Sequence, residues 1–464
     1  MTRRSTLVLT VVAVAVLAAG YLVLTRQSDA VLRAQRPAWT DCSSGLQCAT
    51  VRVPLDHDNP EERTLNLGLT RLPARDPARR IGSLLVNFGG PGVSGRESLA
   101  KNRAMFDRLS SRYDVVAFDP RGTGRGSPLD CGPDPLLNTD PTPDDRRERD
   151  ALRAAYATLA AGCEKRAGRL LPYLDTESTA RDLDILRSAL GDGRLHYLGF
   201  SYGAALGFVY TQLFHEQVGR MVLDGPPAGA DTLIAVADMG VEALEKAFAA
   251  FLKDCVGRAD CPLGRDFRSA KKKVTQLVSD LDDGHAVAGI VFHLYSETSW
   301  PRLREALSGD GGALIEAGRR LRGEHDPTFN QGAYTAITCA DGPDRPSVDD
   351  AGVTAEVLSD GSPVFGAWVA WGALSCHGWP RRPEPLWARM PPPITEPVLV
   401  VGTVGDPITP FSGAEDLELM MPGAELVTAR GYHHTAYGRG DACVDEAVET
   451  YLLDGDAPTA VVTC

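Results

Sequence analysis

No Cys-x-x-Cys pair and no histidine-rich stretch at ligand spacing occurs in these 464 residues, so the sequence offers no metal-binding pattern. No Gly-Lys-Ser/Thr triplet follows a glycine-rich turn, which excludes a phosphate-binding P-loop, and no cofactor is implied. Positive charge is in deficit. Lys and Arg number 48 against 61 Asp and Glu, a formal net charge of −13. With no basic excess to neutralise phosphates, nucleic acid is not an expected partner. Solubility accounts for the acidic balance, with a weak pull on cationic substrates as the alternative. Internal repeats and low-complexity tracts are absent. What is there is an ordinary globular composition, 43% hydrophobic and 23% charged, at a length that suits one large enzyme domain with an insertion.

Long uncharged runs are scarce too, apart from residues 5–25, which follow Arg3 and Arg4 and end at Arg26. Positive residues ahead of an apolar run leave the N-terminus inside and everything after it outside. The run is as long as a membrane-spanning helix and longer than the roughly 7–15-residue core of a signal peptide. Residues 1–35 therefore read as a signal anchor, or as a signal peptide cut near Ala18-Ala19-Gly20 or Ser28-Asp29-Ala30. No cysteine lies near the end of the run, which speaks against a lipid anchor. The protein is expected outside the cytoplasm, secreted or touching a membrane through this segment alone. The ten cysteines agree, because they fall in sequence-near pairs: 42 with 48, 131 with 163, 255 with 261, 339 with 376, and 443 with 464. Five disulfides in an oxidising compartment are the expectation.

Residues 49–55 and 64–72 alternate apolar and polar side chains around a His-Asp-Asn-Pro turn, predicting an antiparallel hairpin at one sheet edge. Short apolar strands follow at 83–88, 114–118, 195–200 and 220–223. Helical stretches separate them, including 179–190, which is stopped by Gly191. Strands alternating with helices predict a mostly parallel α/β sheet. From 226 to 393 charged helical segments (238–254, 267–281) and two cysteine pairs replace the alternation. They read as a lid inserted after the sixth strand, with Pro391-Pro392-Pro393 as its return linker. Strands resume at 397–401 and 425–428. The expected organisation is a sheet-bearing core over 36–225, a lid over 226–393, and the core's completion over 394–464.

The chemistry centres on Gly199-Phe200-Ser201-Tyr202-Gly203, a G-x-S-x-G between a strand and a proline-free helical run. Such a strand–turn–helix presents the serine hydroxyl at the top of a sheet. A serine nucleophile needs a base, and the base an orienting carboxylate, in the chain order Ser, Asp or Glu, His. Strand 398–401 leads into Asp406, and strand 426–428 leads into the adjacent His433 and His434. Either histidine fits as base; Asp416 and Asp445 are the alternatives for the acid. The oxyanion donors are expected from the amide of Tyr202 and from the turn Asn87-Phe88-Gly89-Gly90-Pro91-Gly92, at Gly89 and Gly90.

At these residues the chain resembles the α/β-hydrolase serine peptidases of the prolyl aminopeptidase group, and within it the secreted actinobacterial tripeptidyl aminopeptidases. The shared stretches are Gly89 to Gly92, Asp119-Pro120-Arg121-Gly122-Thr123-Gly124, Ala180-Arg181-Asp182-Leu183-Asp184, the elbow itself, Thr338-Cys339-Ala340-Asp341, Asp406-Pro407-Ile408-Thr409-Pro410, and His434-Thr435-Ala436-Tyr437-Gly438. The resemblance runs from about Trp39 to Cys464. It implies an α/β-hydrolase fold with an inserted, mainly helical lid, and Ser201, Asp406 and His434 as nucleophile, acid and base. His433 stands where the family has glycine, Phe88 where it has proline or histidine, and Ser127 one residue later than usual. The resemblance further implies a lid carboxylate for the free α-ammonium of a peptide substrate, with Asp341 and then Glu297 as candidates. The activity expected is that of an exopeptidase releasing di- or tripeptides through an acyl-enzyme. An esterase using the same triad, or a non-catalytic surface protein on this scaffold, are the competing expectations.

Overall fold

In a computed structural model, which describes residues 27–229, 232–342, 344–379, 389–458 and 462–464, the apolar runs between turns become strands of one ten-stranded sheet. In chain order these are β1 (Thr40–Ser43), β2 (Leu46–Pro54), β3 (Thr64–Leu72), β4 (Gly82–Asn87), β5 (Tyr113–Phe118), β6 (Leu195–Phe200), β7 (Val218–Asp224), β8 (Val398–Thr403), β9 (Ala424–Ala429) and β10 (Val462–Thr463). Their order across the sheet is β1-β2-β3-β5-β4-β6-β7-β8-β9-β10. The first four in that order pair antiparallel, and every pair from β5–β4 onward is parallel. β4, β5 and β8 are buried along their whole length and β6 nearly so, as expected of parallel strands covered on both faces. One face packs on the helices Thr176–Leu190, Tyr202–Leu213 and Phe411–Met420. The other packs on the helix Ala442–Asp454 and on residues 99–109.

Local signals explain the helix Thr176–Leu190 that precedes β6. Asp175 accepts from the Ser178 amide at its start, and Gly191, at φ 87°, ends it in a left-handed turn that favours glycine. A buried knot locks this helix to the hairpin. Arg121, wholly buried, donates to Asp182 from Nε (2.8 Å) and Nη2 (2.6 Å) and to the carbonyls of Leu55, Pro54 and Tyr173. His57 Nε2 lies 2.9 Å from the same Asp182 carboxylate.

Two features differ from the sequence expectation. The helical insertion follows the seventh strand, not the sixth, because β1 precedes the hairpin at the sheet edge. Its four residues are all exposed, so no alternation announced it. The helix Arg146–Ala167, between β5 and β6, shares a buried cluster with the inserted helices rather than with the sheet: Leu152, Tyr156 and Leu159 pack with Ala333, Ile337, Trp371 and Leu374. A second cluster unites Phe248, Phe251, Ile290, Leu303 and Phe365 within the insertion.

All five expected cysteine pairs are disulfides, Cys42–Cys48, Cys131–Cys163, Cys255–Cys261, Cys339–Cys376 and Cys443–Cys464. The apolar run at 5–25 lies outside the described residues. Among those described, no helix is long and apolar enough to cross a membrane. Residues 27–33 form a helix that docks on the core: Leu32 is buried, and Arg33 pairs with Asp29 and Asp184.

Candidate active site

Ser201 ends β6 and precedes the helix Tyr202–Leu213 with φ 56° and ψ −121°, a conformation that costs energy for a residue bearing a Cβ. The flanking glycines make it sterically possible. A Cβ on Gly199 would lie 2.3 Å from the Gly203 carbonyl oxygen, and one on Gly203 would lie 2.6 Å from that of Asn87. Tyr197 then clamps the turn, its hydroxyl donating to the Gly203 carbonyl at 2.8 Å. The sheet places the Gly89-Gly90 turn beside the serine, because β4 neighbours β6. A Cβ on Gly89 would fall 3.0 Å from the Ser201 Cβ. The Gly89 amide is already engaged, donating to Asn87 Oδ1 at 2.9 Å. No acceptor for the amides of Gly90 or Tyr202 is found among the described residues.

Asp406 and His434 are brought together. The imidazole Nδ1 lies 3.1 Å from Oδ1 and 3.0 Å from Oδ2 of a carboxylate that is 2% exposed. Asp406 also accepts the amides of Ile408 (2.8 Å), Thr409 (2.9 Å) and Thr435 (3.2 Å) and the Thr409 hydroxyl (2.9 Å). Burial pushes this carboxyl up, but the charge and hydrogen bond of His434 and the amides outweigh it and hold it below the usual range. An Nδ1 facing a carboxylate carries the proton, which leaves the lone pair on Nε2. His433 is engaged elsewhere: its backbone bridges Ser296, its ring lies against Gly431, and its buried Nε2 has no hydrogen-bond partner among the described residues. Burial pushes its imidazole down, with Glu297 pulling the other way. Asp416 is exposed, and Asp445 accepts the Gly438 amide at 2.7 Å, so neither is joined to a histidine of this loop.

Two further residues belong to this constellation, Thr409 within the shared stretch Asp406 to Pro410 and Asp224 outside every shared stretch, and the sequence assigned neither a partner. Thr409 touches both partners, with its hydroxyl 3.2 Å from His434 Nδ1 as well as on Asp406. Asp224, the last residue of β7, is fully buried beneath the histidine loop and accepts the amides of Ala436 and Tyr437. Burial pushes its carboxyl up to about 7 against the pull of those amides. An aspartate at a strand end reads as a turn residue, so only the fold reveals its contacts.

The insertion reaches both halves of the site. The His434 amide donates to the Tyr295 carbonyl at 2.9 Å, and the Tyr295 ring stands edge-on to the imidazole with centroids 5.5 Å apart. On the other side, Val93 bridges Phe329, Ser94 donates to the Thr328 carbonyl and Asn330 to that of Gly92, which clamps the turn bearing Gly89 and Gly90. The two acids expected to meet a substrate ammonium lie apart. Asp341 accepts the Thr176 amide (3.2 Å) and hydroxyl (2.7 Å) at the start of a core helix, and Thr176 in turn meets the Tyr202 hydroxyl at 2.8 Å. Glu297 is exposed, two residues after Tyr295, and takes the Tyr432 amide on Oε1 at 3.1 Å. The single clustering of possible metal ligands among the described residues is Asp441, Cys443 and Cys464, whose thiols are joined in a disulfide.

This geometry has relatives. Residues 362–464 match the family described as TAP-like protein. The chain is 32% identical to the serine protease Hip1 of Mycobacterium tuberculosis, over 92% of this chain and 90% of that one. It is 31% identical to a tripeptidyl aminopeptidase of Streptomyces lividans, over 92% and 86%. It is also 32% identical to carboxylesterase B of M. tuberculosis, over 93% and 90%.

Proposed function

The chain belongs to the α/β-hydrolase serine peptidases of the tripeptidyl aminopeptidase kind, and from that premise we propose that it is an exported exopeptidase that removes short peptides from free N-termini. The observation that carries the proposal is the buried Asp406–His434 pair, delivered to the sheet end where Ser201 is held at the turn. In this mechanism His434 Nε2 takes the proton of Ser201 Oγ as the oxygen attacks the scissile carbonyl. The negative charge that develops on the carbonyl oxygen is met by the amides of Tyr202 and Gly90, Gly89 being committed to Asn87. His434 returns the proton to the leaving amine, and the N-terminal fragment remains as an ester on Ser201. Water, deprotonated by the same imidazole, then releases it.

Of the two candidate acids for the substrate ammonium, Asp341 has Thr176 on both oxygens, whereas only one oxygen of Glu297 is engaged by the described residues. Glu297 also follows directly on the segment that touches the base, so it is the proposed ammonium partner. Export is supported by the five disulfides, which persist in oxidising compartments.

An esterase is the second reading, favoured by the relative named carboxylesterase B and by the greater ease with which any such triad attacks esters. One assay separates them. Hydrolysis of a tripeptide anilide with a free amine is compared with its N-acetylated form and with a short acyl ester. The exopeptidase cleaves the free amine at least about tenfold faster than the blocked form, and Glu297→Gln removes most of that preference. Equal rates on both anilides, with faster turnover of the ester, would leave the esterase. Ser201→Ala must abolish every one of these activities.

A further inference from the structure

We propose that Asp224 is a positioning residue that fixes the spacing between nucleophile and base, linking the two loops through its own backbone and side chain. The proposal rests on Ser201 as nucleophile and His434 as base. Asp224 pairs in register with Phe200, and its carbonyl accepts the Ser201 amide at 2.8 Å. Its carboxylate reaches the other way. Oδ1 accepts from Ala436 at 3.0 Å, and Oδ2 accepts from Ala436 at 3.0 Å and from Tyr437 at 2.8 Å. One residue thus holds the serine by its main chain and, by its side chain, the loop that begins at His434.

The chemistry argues that this carboxylate is retained for position. It is wholly buried and forms no ion pair with a lysine or arginine among the described residues, and the donors to its oxygens are the backbone amides of Ala436 and Tyr437. A buried acid held this way is expensive, and an apolar strand end would close the sheet as well. The next residue, Gly225, has φ +63°, and a Cβ there would stand 3.1 Å from Thr435 Cγ2, so the loop lies directly on the end of β7. Other ties of the loop run elsewhere: the His434 amide to Tyr295 in the insertion, the Thr435 amide to Asp406, the Tyr437 hydroxyl to the Met105 carbonyl and Glu449, and the Tyr437 ring against Phe200 with centroids 6.4 Å apart. Among the described residues, Asp224 is the one side chain of β7 that hydrogen-bonds this loop.

Asp224→Asn tests this, because the side-chain amide turns an NH2 toward two N–H donors. In the full-length protein we expect kcat for a short acyl ester, and the rate of fluorophosphonate labelling of Ser201, to fall about 100-fold with KM within about twofold. A misplacement near 1 Å has an effect of that size. Asp182→Asn, in the buried knot with Arg121, is the control for lost stability, and it should keep kcat at temperatures where it remains folded. Labelling and kcat within about threefold of wild type in Asp224→Asn would overturn the proposal. So would losses that merely follow the unfolded fraction, as in Asp182→Asn. If Asp224→Asn does not fold, Asp224→Glu keeps the charge and lengthens the link by one methylene. A loss of about tenfold supports the proposal there, and full activity overturns it. Failure of the nucleophile assignment itself is separate and visible, since wild-type protein would then label at a residue other than Ser201.

Discussion

Asp406 accepts from five groups at once, and the Thr409 hydroxyl is the one among them that also meets His434 Nδ1. Removing that hydroxyl leaves the carboxylate buried with one donor fewer and the imidazole free to rotate about its remaining bond. For Thr409→Val the expected outcome is a fall in kcat of about tenfold with KM unchanged, the equivalent of one neutral hydrogen bond of about 1–1.5 kcal/mol. Steady-state kinetics on a short ester measure it. The Asp406–His434 pair was legible in part, Asp406 from its place after a strand and its partner down to two adjacent histidines, while Ser201 is proposed as nucleophile from its glycine spacing. Thr409 and Asp224 were not legible as partners, because a hydroxyl three residues after an aspartate and an aspartate at a strand end are ordinary turn features until the chain folds over them.

Among elements, the knot of Arg121, Asp182 and His57 joins the β2–β3 hairpin to the helix that precedes β6. Burial pushes the Asp182 carboxyl up, yet the Arg121 charge and the His57 and Arg121 hydrogen bonds bring it below its ordinary value. A folded-state value lowered below the unfolded one adds stability that is fully present above about pH 4 and disappears as pH falls through the folded value. Asp182→Asn should therefore lower stability most at neutral pH, by about 3 kcal/mol or more, with a matching fall in melting temperature. The gap to wild type should close on acidification below pH 4. Thermal melts of both proteins from pH 3 to 8 check the sign, and a gap that widens toward acid contradicts it. At this scale the sequence showed the strands well: residues 195–200 and 64–72 match β6 and β3 in full. It missed β1, four exposed residues with no alternating pattern. It also missed the allegiance of the helix Arg146–Ala167, because periodicity reveals that a face is buried and not what buries it.

The whole molecule begins, among its described residues, with a helix that belongs to the folded body. Leu32 sits in the main core, Arg33 pairs with Asp184, and the Ser188 hydroxyl donates to the Arg33 carbonyl at 3.0 Å. Of the two small-residue stretches suited to leader cleavage, Ser28-Asp29-Ala30 lies inside this helix, and the other lies outside the described residues. A protein starting at residue 27 should match the full chain in activity and melting temperature. One starting at residue 37 should lose about 2 kcal/mol, the worth of burying one leucine, while keeping its kcat. Differential scanning calorimetry of the two truncations decides it. Equal melting temperatures would mean that the docked helix contributes nothing.

The insertion grips the histidine loop through Tyr295 and the glycine turn through Thr328, Phe329 and Asn330. It is therefore structural scaffolding for the candidate site. Grafting the corresponding segment from a relative would unsettle the machinery beneath, and trimming it away would leave no minimal hydrolase behind. A change of specificity in this protein is then best sought within the insertion, with those few joints kept in place.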